Sequence, residues 1–457
     1  MRGIFGNIGM TAIARGALAV ALAGGLLAGG VGLGATAAFA KDSAPKAGGN
    51  SKEFVAAAGP IQKTLEAAKP LKAKVDASTG ADKAAAQSQL TAALATAPAE
   101  LAAVEAAAKT PSDKMIAGQW GVALGGMIND VKMRQRGIQS MLDSGLVPAA
   151  NLSEYQFYLG NFAYGNKDYP TAVKALTPVV AANYKEDAAA ELLADSYAQQ
   201  GQNTQALDSL KAAVAARKAA GGAVPEDWFK RANLIAYKNK LGPQAIEWAT
   251  LMVQNSPTAF NWLGAGQLVR EFGNFTNQES LDLGRLLLRS GGLSNDPKYV
   301  EREYVEYIQA ADPRRLPGEV VKVGEAGIAA GALRANDSFV TDAMTQARGR
   351  VAADKASLPG LARDAAAAGN GVGALATGDA YLSYGDAAKA EGLYMLAVQK
   401  GGVDKDRALT RLGIAQSDEG KYAEAKATFA QVGGPRAPLA KLWTIYVDQK
   451  AGGTAVH

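Results

Sequence analysis

Histidine and cysteine, two residue types that carry much of enzyme chemistry, are almost absent from this 457-residue chain. The only histidine is His457, the last residue, and the chain contains no cysteine. These facts exclude histidine-dependent catalysis, thiol nucleophiles and the common zinc sites. Carboxylates do cluster, and two carboxylates can cleave a glycosidic bond. The clusters are Glu186 with Asp187, Glu301 with Glu303 and Glu306, and Asp418 with Glu419.

A solvated helix face explains these carboxylate clusters better than a catalytic pair, because each lies near lysine or arginine in a helical or turn-like segment. The glycine-rich residues 369–373 have no strand before them and no Gly-Lys-Ser/Thr after them, as a phosphate-binding loop would require. They are interpreted as a flexible joint. The sequence therefore predicts a protein that is not an enzyme, with no catalytic residue, no cofactor and no metal.

An internal repeat is the main feature of the elements that would position any site. The positions that recur at 34 residues are Gly126, Gly160 and Ala194, together with Leu142, Leu176 and Leu210. Near the C-terminus Gly378, Gly385, Ala390 and Tyr394 are followed 35 residues later by Gly413, Gly420, Ala425 and Phe429. A repeat of this length predicts stacked helical hairpins rather than one globular core.

The small residues have a physical reason, because two antiparallel helices can interlock only where one presents Gly or Ala to a bulky side chain opposite. The pattern of Gly160, Ala172, Leu176 and their later equivalents resembles tetratricopeptide repeats (TPRs). The resemblance implies an all-α, right-handed solenoid of stacked antiparallel hairpins over residues 111–450. We expect about nine hairpins, a five-residue insertion at 219–223, and a capping helix from Leu439 to Val447.

Residues 1–40 resemble a secretory signal peptide. They contain Arg2 and Arg15, no acidic residue, an apolar run and a small-x-small end at Ala38–Ala40. Cleavage after Ala40 predicts a periplasmic protein with no integral membrane span. The alternative is an inner-membrane anchor formed by an uncleaved signal, since the apolar run approaches the length needed to span a bilayer.

The segment after the signal has its own composition. Residues 41–52 are predicted to be a flexible tether. Residues 53–110 are predicted to form two Ala-rich helices, Phe54–Val75 and Ala81–Lys109, interrupted by Pro60, Pro70 and Pro98. They form either a hairpin packed on the first repeat or a mobile arm used for self-association.

The charge gives no reason to expect a nucleic-acid partner, because removal of Arg2 and Arg15 would lower the formal charge from +5 to +3. The resemblance places a concave groove on the first helices of successive hairpins. Outward positions that the repeat does not need for packing are the candidate partner-binding residues, and a cationic spot among them suits a carboxylate. They are Asn161, Tyr164, Lys230, Arg231, Tyr237 and Lys238.

Two functions therefore stay open. The first is a periplasmic scaffold that holds a peptide segment or helix of a cell-envelope complex. The second is a glycan- or cell-wall-associated factor whose aromatic rings stack on sugars; a hydrolase is disfavoured because no stretch is left for a catalytic domain. Trp228, Trp248, Trp262 and Trp443 are predicted to fill seams between hairpins, whereas the neighbours of Trp120 leave room for a partner.

Overall fold

The computed structural model describes residues 49–184 and 187–453. The predicted signal peptide, residues 41–48 of the predicted tether, Glu186 and His457 lie outside these residues. The described chain contains 21 α-helices, two short 3-10 helices and no strand, which confirms the predicted all-α fold class. It divides into two compact units with a boundary between Trp228 and Phe229. We call residues 49–228 the N-terminal unit and residues 229–453 the C-terminal unit.

The helices follow one another with short connections. In chain order they are α1 Lys52–Ala77, α2 Gly80–Ala93, α3 Ala97–Ala107, α4 Pro111–Met127, α5 Val131–Asp143, α6 Leu152–Gly165, α7 Tyr169–Ala181, α8 Ala188–Gln199, α9 Asn203–Ala219, α10 Glu226–Lys238, α11 Gly242–Asn255, α12 Ala259–Gly273, α13 Asn277–Arg289, α14 Pro297–Ala311, α15 Pro317–Ala329, α16 Ser338–Ala367, α17 Val372–Ser383, α18 Ala387–Lys400, α19 Lys405–Asp418, α20 Tyr422–Phe429 and α21 Ala437–Ala451.

The seams of the hairpins follow the rule inferred from the sequence. A Cβ atom on Gly160 would lie 2.4 Å from Leu176 Cγ, and one on Gly413 would lie 2.6 Å from Phe429 Cε1. In the same way, a Cβ atom on Gly378 would lie 2.8 Å from Tyr394 Cε1. These distances are too short for a real Cβ, so the bulky side chain of one helix packs directly on the backbone of the other.

The register predicted for the first hairpin is wrong. Asn129 and Lys167 adopt positive φ in the turns of the α4–α5 and α6–α7 hairpins (59° and 62°), and they are 38 residues apart. The 34-residue spacings from Gly126 to Gly160 and from Leu142 to Leu176 are therefore coincidental. The connection at residues 144–151 contains a 3-10 helix, Ala149–Asn151, and lengthens this unit.

The other predicted boundaries are met in part. The described residues from α4 to α20 form eight hairpins and one unpaired 30-residue helix, α16, where about nine hairpins are predicted. The five-residue insertion is present: Ala219 is the last residue of α9, and residues 220–223 belong to the connection to α10. Within residues 369–373, Gly371 is buried and its N–H donates to the Gly401 carbonyl (2.8 Å), whereas Gly369, Asn370 and Val372 are exposed.

The Ala-rich segment forms three helices where the sequence predicts two. Pro60 and Pro70 lie inside α1 on its exposed side, and the break between α2 and α3 comes before Pro98. Side chains of α1–α3 share a core with α4, which buries residues such as Phe54, Leu90, Leu101 and Leu124 completely or nearly so.

The start of α1 is fixed within the N-terminal unit. Ser51, predicted to belong to the tether, is the N-cap of α1, and its backbone N–H donates to Asp113 Oδ1 (3.1 Å). Asp113 is fully buried and also accepts from the backbone of Lys109 and Thr110. Burial alone would raise the pKa of Asp113, but these hydrogen bonds lower it.

The C-terminal unit closes on itself. The predicted capping helix exists as α21, and it packs not only on α20 but also on α11, α12 and α13. Trp262 of α12 meets Tyr446 of α21 edge to face, and Gln449 Nε2 donates to the Val253 carbonyl (3.2 Å). The last helix of this unit therefore covers its first helices as well as its preceding neighbour.

Buried ion pairs reinforce this closure. Asp282 on α13 has no exposed surface and contacts three arginines: Arg285 and Arg411 at 3.2 Å, and Arg436 at 2.7 Å. Arg411 lies on α19 and Arg436 directly precedes α21. Burial alone would raise the pKa of Asp282, but the three guanidinium charges outweigh it and lower the pKa to about 2.

Further buried pairs extend this charge network. Arg285 makes a two-point contact with Glu319 of α15 (2.8 and 2.7 Å), and Arg411 pairs with Asp379 of α17. The Tyr394 hydroxyl donates to Asp379 Oδ1 (2.9 Å). Helices α13, α15, α17 and α19 are thus joined by buried ion pairs.

A substitution in a seam tests the hairpin packing. Ala206 on α9 has no exposed surface, so Ala206→Trp should destabilise the N-terminal unit by about 1–3 kcal/mol or more through overpacking. Gln205→Trp, on an exposed position of the same helix, is the matched control. Equal midpoints of urea unfolding for the two variants would contradict this packing.

Candidate functional site: a cleft in the N-terminal unit

The α4–α5 hairpin owes its close packing to two glycines. A Cβ on Gly118 would lie 2.5 Å from the Gly137 carbonyl oxygen, and one on Gly137 would lie 2.8 Å from the backbone N of Val122. The Ser140 hydroxyl also donates to the Lys114 carbonyl (2.8 Å). The backbones of α4 and α5 are therefore held at a fixed separation, and with them the side chains on their edges.

A cleft of about 430 Å³ lies beside this hairpin. It is bounded by α3 and the residues just after it, by α4 and α5, and by the start of α7. The lining residues are Glu105, Ala108, Lys114, Ala117, Gln135, Arg136, Gln139, Ser140, Asp143 and Thr171. Half of them belong to α5, the second helix of its hairpin, and none belongs to α6 or α10, so this cleft is not the groove predicted from the sequence.

Some polar groups of the cleft wall are already engaged. Gln135 Nε2 donates to Asp168 Oδ2 (2.6 Å), and Gln135 Oε1 accepts from Asn166 (2.6 Å). Gln139 donates to Asp143 Oδ1 (2.8 Å). The two Gln135 bonds tie α5 to the turn before α7, and the Gln139 bond lies within α5.

Three charged side chains of the wall have no such partner. Within the described ranges, Glu105, Lys114 and Arg136 make no side-chain hydrogen bond or ion pair with another residue. Glu105 is half-buried, and this burial raises the pKa of its carboxyl group, although the nearby charge of Arg136 acts in the opposite direction. A partly desolvated carboxylate without a donor is unfavourable and marks a candidate binding site.

Neutralising this carboxylate should stabilise the fold. Because the folded-state pKa of Glu105 is raised, the folded protein binds more protons than the unfolded chain, and stability falls as pH rises above 4.5, the ordinary pKa of a glutamate side chain. We expect Glu105→Gln to have the higher melting temperature at pH 7. The difference should vanish below about pH 4, where the carboxyl group is protonated in both states; a lower melting temperature for the variant at pH 7 would contradict it.

Asn161 and Tyr164, the predicted groove residues of the N-terminal unit, both lie on α6 and are partly buried. The Tyr164 hydroxyl donates to Asp195 Oδ2 on α8 (3.4 Å), and its ring meets Tyr169 edge to face. The first helices α6 and α8 are therefore adjacent at this point, as expected for successive hairpins.

The other four predicted groove residues lie on α10 in the C-terminal unit. Lys238 is exposed, while Lys230 and Tyr237 are partly buried. Arg231 is only 8% exposed, so its predicted outward orientation is wrong. The ring of Tyr237 packs edge to face on Phe272. Their role in binding a partner stays a prediction.

Several members of the carboxylate clusters are ion-pair partners, although Asp187, Glu301 and Asp418 are exposed as a solvated face requires. Glu303, only 4% exposed, and Glu306 both pair with Arg270. Asp418 contacts Arg289 (2.6 Å), and Asp187 contacts Arg217 (2.7 Å). The sequence prediction of exposure is thus wrong for Glu303, because Arg270 and Gln267 supply its hydrogen bonds.

The tryptophans predicted to fill seams are buried. Trp228, Trp248, Trp262 and Trp443 are each at most 3% exposed. Trp120 is partly buried and stacks on Phe54, with ring centroids 5.9 Å apart. Four of the five tryptophans are therefore inaccessible to a sugar ring.

Two further properties concern only the part of the chain that the structure describes. No group of three or more His, Cys, Asp or Glu side chains is arranged there to hold a metal ion. No single described helix is both long and apolar enough to cross a membrane; the pair α2 and α3, bent by 43°, meets that test only when taken together.

Comparisons with known proteins give no family assignment. No family model matches the chain, and no curated protein matches it. Among solved structures, the TPR2AB domain:pHSP90 complex of yeast Sti1 is 15% identical, with 66% of this chain and 97% of that chain covered and a TM-score of 0.24. The APC/C hetero-tetramer Cut9–Hcn1 is 13% identical, with 74% and 70% covered and a TM-score of 0.24.

A circular tandem repeat protein with a novel repeat topology is also similar, at 12% identity, with 88% of this chain and 98% of that chain covered and a TM-score of 0.12. One of the three is a TPR domain, the family that the sequence pattern resembles. At these TM-scores the likenesses decide neither fold family nor function. The description of the fold rests on the helices and seams of this chain.

Proposed function

We propose that this protein is a non-catalytic scaffold for protein–protein interaction. The observation that carries the proposal is the series of interlocked helical hairpins, with Gly160, Gly378 and Gly413 each packed against a bulky side chain. Such repeats present several helix faces side by side, and these faces suit an extended peptide or a partner helix. The sequence, with its terminal histidine and no cysteine, offers few groups for catalysis.

The finer form of the proposal is a periplasmic scaffold that holds a peptide segment or helix of an envelope complex. The signal-like residues 1–40 support export. Asn161 and Tyr164 on α6, and Lys230, Tyr237 and Lys238 on α10, are the proposed contacts on first helices. The glycan-associated alternative has less support, because four of the five tryptophans are buried.

Affinity capture from cross-linked cells tests the proposal. The bait is the chain as it is expressed, with a C-terminal tag, and both protein and glycan are recovered and identified. A double variant, Tyr164→Ala with Lys238→Glu, is compared with a control in which exposed Gln205 is changed to Ala. We expect an envelope protein to be captured by wild type and control and to be reduced with the double variant.

Other outcomes of the capture separate the possibilities. Recovery of the same protein with all three baits would move the binding surface away from α6 and α10. Recovery of glycan alone would favour the second function. Recovery of neither would overturn the scaffold proposal.

A further inference from the structure

The three charged groups without partners in the cleft define what could bind there. Lys114 and Arg136 supply two cations, one from α4 and one from α5, while Glu105 supplies a single acceptor from α3. Asp143, the other acidic residue of the wall, already accepts from Gln139. The three groups that lack a partner are two cations, of which Arg136 is exposed to water, and one half-buried carboxylate. They can take up both an anion and a hydrogen-bond donor, although the four charges of the wall, with Asp143 included, sum to zero.

A peptide with acidic side chains supplies both. Its carboxylates can pair with Lys114 and with the planar guanidinium of Arg136, which suits two-point binding of a carboxylate. Its backbone N–H groups can donate to Glu105, which has lost part of its hydration without gaining a donor. The cleft volume of about 430 Å³ is within the range of small-ligand sites, about 300–1,000 Å³.

The shape of the cleft is set before any ligand arrives. Gly118 and Gly137 fix the distance between α4 and α5, and the Ser140 bond to the Lys114 carbonyl holds the two helices at that level. Gln135 is locked to Asp168 and Asn166. A rigid wall reduces the ordering cost that would otherwise weaken the binding of a short peptide.

We propose that the cleft between α3, α4, α5 and α7 binds an acidic peptide segment through Lys114 and Arg136, with Glu105 accepting from the peptide backbone. The inference rests on the proposed scaffold function and deepens it, because it names a second contact surface and the chemistry of the bound segment. Half of the residues that line this surface lie on α5, the second helix of its hairpin, and neither Asn161 nor Tyr164 is among the lining residues.

Fluorescence anisotropy with defined peptides tests the inference on the full chain. The probe is fluorescein-labelled Ala-Glu-Glu-Ala with a free C-terminus, and the control probe is Ala-Gln-Gln-Ala amide. Lys114→Glu with Arg136→Glu reverses the two cations, whereas Lys132→Glu reverses an exposed lysine on the same helix α5 that does not line the cleft. We expect saturable binding of the acidic peptide only, at least tenfold weaker with the double variant and unchanged with Lys132→Glu.

A charge-swapped probe protects the test against a variant that merely unfolds. Ala-Lys-Lys-Ala amide should bind the double variant more tightly than it binds wild type, a gain that loss of structure cannot produce. Binding should also weaken as salt is raised. No saturable binding of Ala-Glu-Glu-Ala by wild type, or equal binding by wild type and the double variant, would overturn the inference.

The capture experiment distinguishes failure of the cleft from failure of the scaffold. An envelope partner recovered equally with wild type and with the Lys114→Glu, Arg136→Glu variant would remove the cleft from the interaction and leave the scaffold function standing. If the capture recovers no protein partner but the acidic peptide binds in the cleft, the scaffold function is overturned and the cleft stands as a peptide-binding site.

Discussion

Asp282→Ala is expected to destabilise the C-terminal unit by about 3–5 kcal/mol, because it removes from a buried ion-pair network the carboxylate that three guanidinium groups share, and each of them then keeps only one carboxylate of its own. Here three arginines, Arg285, Arg411 and Arg436, would lose their common partner in a site with no exposed surface. Urea unfolding monitored by circular dichroism and tryptophan fluorescence measures the change.

An exposed ion pair provides the control. Glu325 and Arg348 contact each other at 3.0 Å, but both side chains are 58% exposed. Glu325→Ala should therefore cost less than about 1 kcal/mol. If Asp282→Ala costs no more than Glu325→Ala, the buried charges do not hold the C-terminal unit closed.

The pH dependence of stability tests the same network. Because the pKa of Asp282 is lowered to about 2 in the folded state, its contribution is fully present above pH 3.8, which is the ordinary pKa of an aspartate side chain. The contribution is lost as pH falls from about 4 towards 2. Wild type should lose stability over this range, and Asp282→Asn should lose less of it. Parallel pH profiles for the two proteins would contradict the assignment.

Trp443→Ala is the second substitution with a large expected effect. Its ring is fully buried, stacks on Phe429 with centroids 5.9 Å apart and meets Tyr446 edge to face. Loss of such a side chain costs about 3–5 kcal/mol. The loss should be concentrated in the C-terminal unit, since Trp443 joins α20 and α21 there.

Phe260→Ala is the matched control for Trp443→Ala, because Phe260 lies in the same unit and is 39% exposed. We expect it to cost less than about 1 kcal/mol. A thermal or urea midpoint for Trp443→Ala as high as that for Phe260→Ala would show that Trp443 is not a packing residue. A role in holding a ligand would then need to be reconsidered.

The helical hairpins and their seams could be predicted from sequence because the packing rule is local. A small residue sixteen positions before a bulky one, as in Gly160 and Leu176 or Gly413 and Phe429, specifies the close approach of two helices joined by a short turn. The first hairpin does not follow this rule. Its seam is formed by Gly118 and Gly137, which are not sixteen positions apart and face each other instead of a bulky side chain.

Closure of the C-terminal unit could not be predicted in the same way. Asp282 and Arg436 are 154 residues apart, and Asp282 and Arg411 are 129 apart. No local periodicity relates them, and each alone is typical of a charged helix surface. Only the packing of α19 and α21 against α13 converts these charges into a buried network.

The cleft could not be predicted from the sequence either, because no local pattern relates the residues that line it. Glu105, Lys114 and Arg136 come from three helices and occupy no special position of the repeat. The one related prediction was that the neighbours of Trp120, on the same helix α4 as Lys114, leave room for a partner. It could not indicate which charges would be left without partners, because that depends on bonds such as Gln135 to Asp168.

Site-specific photo-cross-linking in living cells tests the central claim, that this chain is a scaffold which holds another protein. A benzoylphenylalanine residue is placed at Tyr164 on α6 or at Lys238 on α10, and at exposed Gln205 on α9 as the control. Light should produce a discrete adduct with another protein at 164 or 238, and not at 205. Absence of adducts at both test positions, or the same adducts at 205, would contradict the scaffold proposed here.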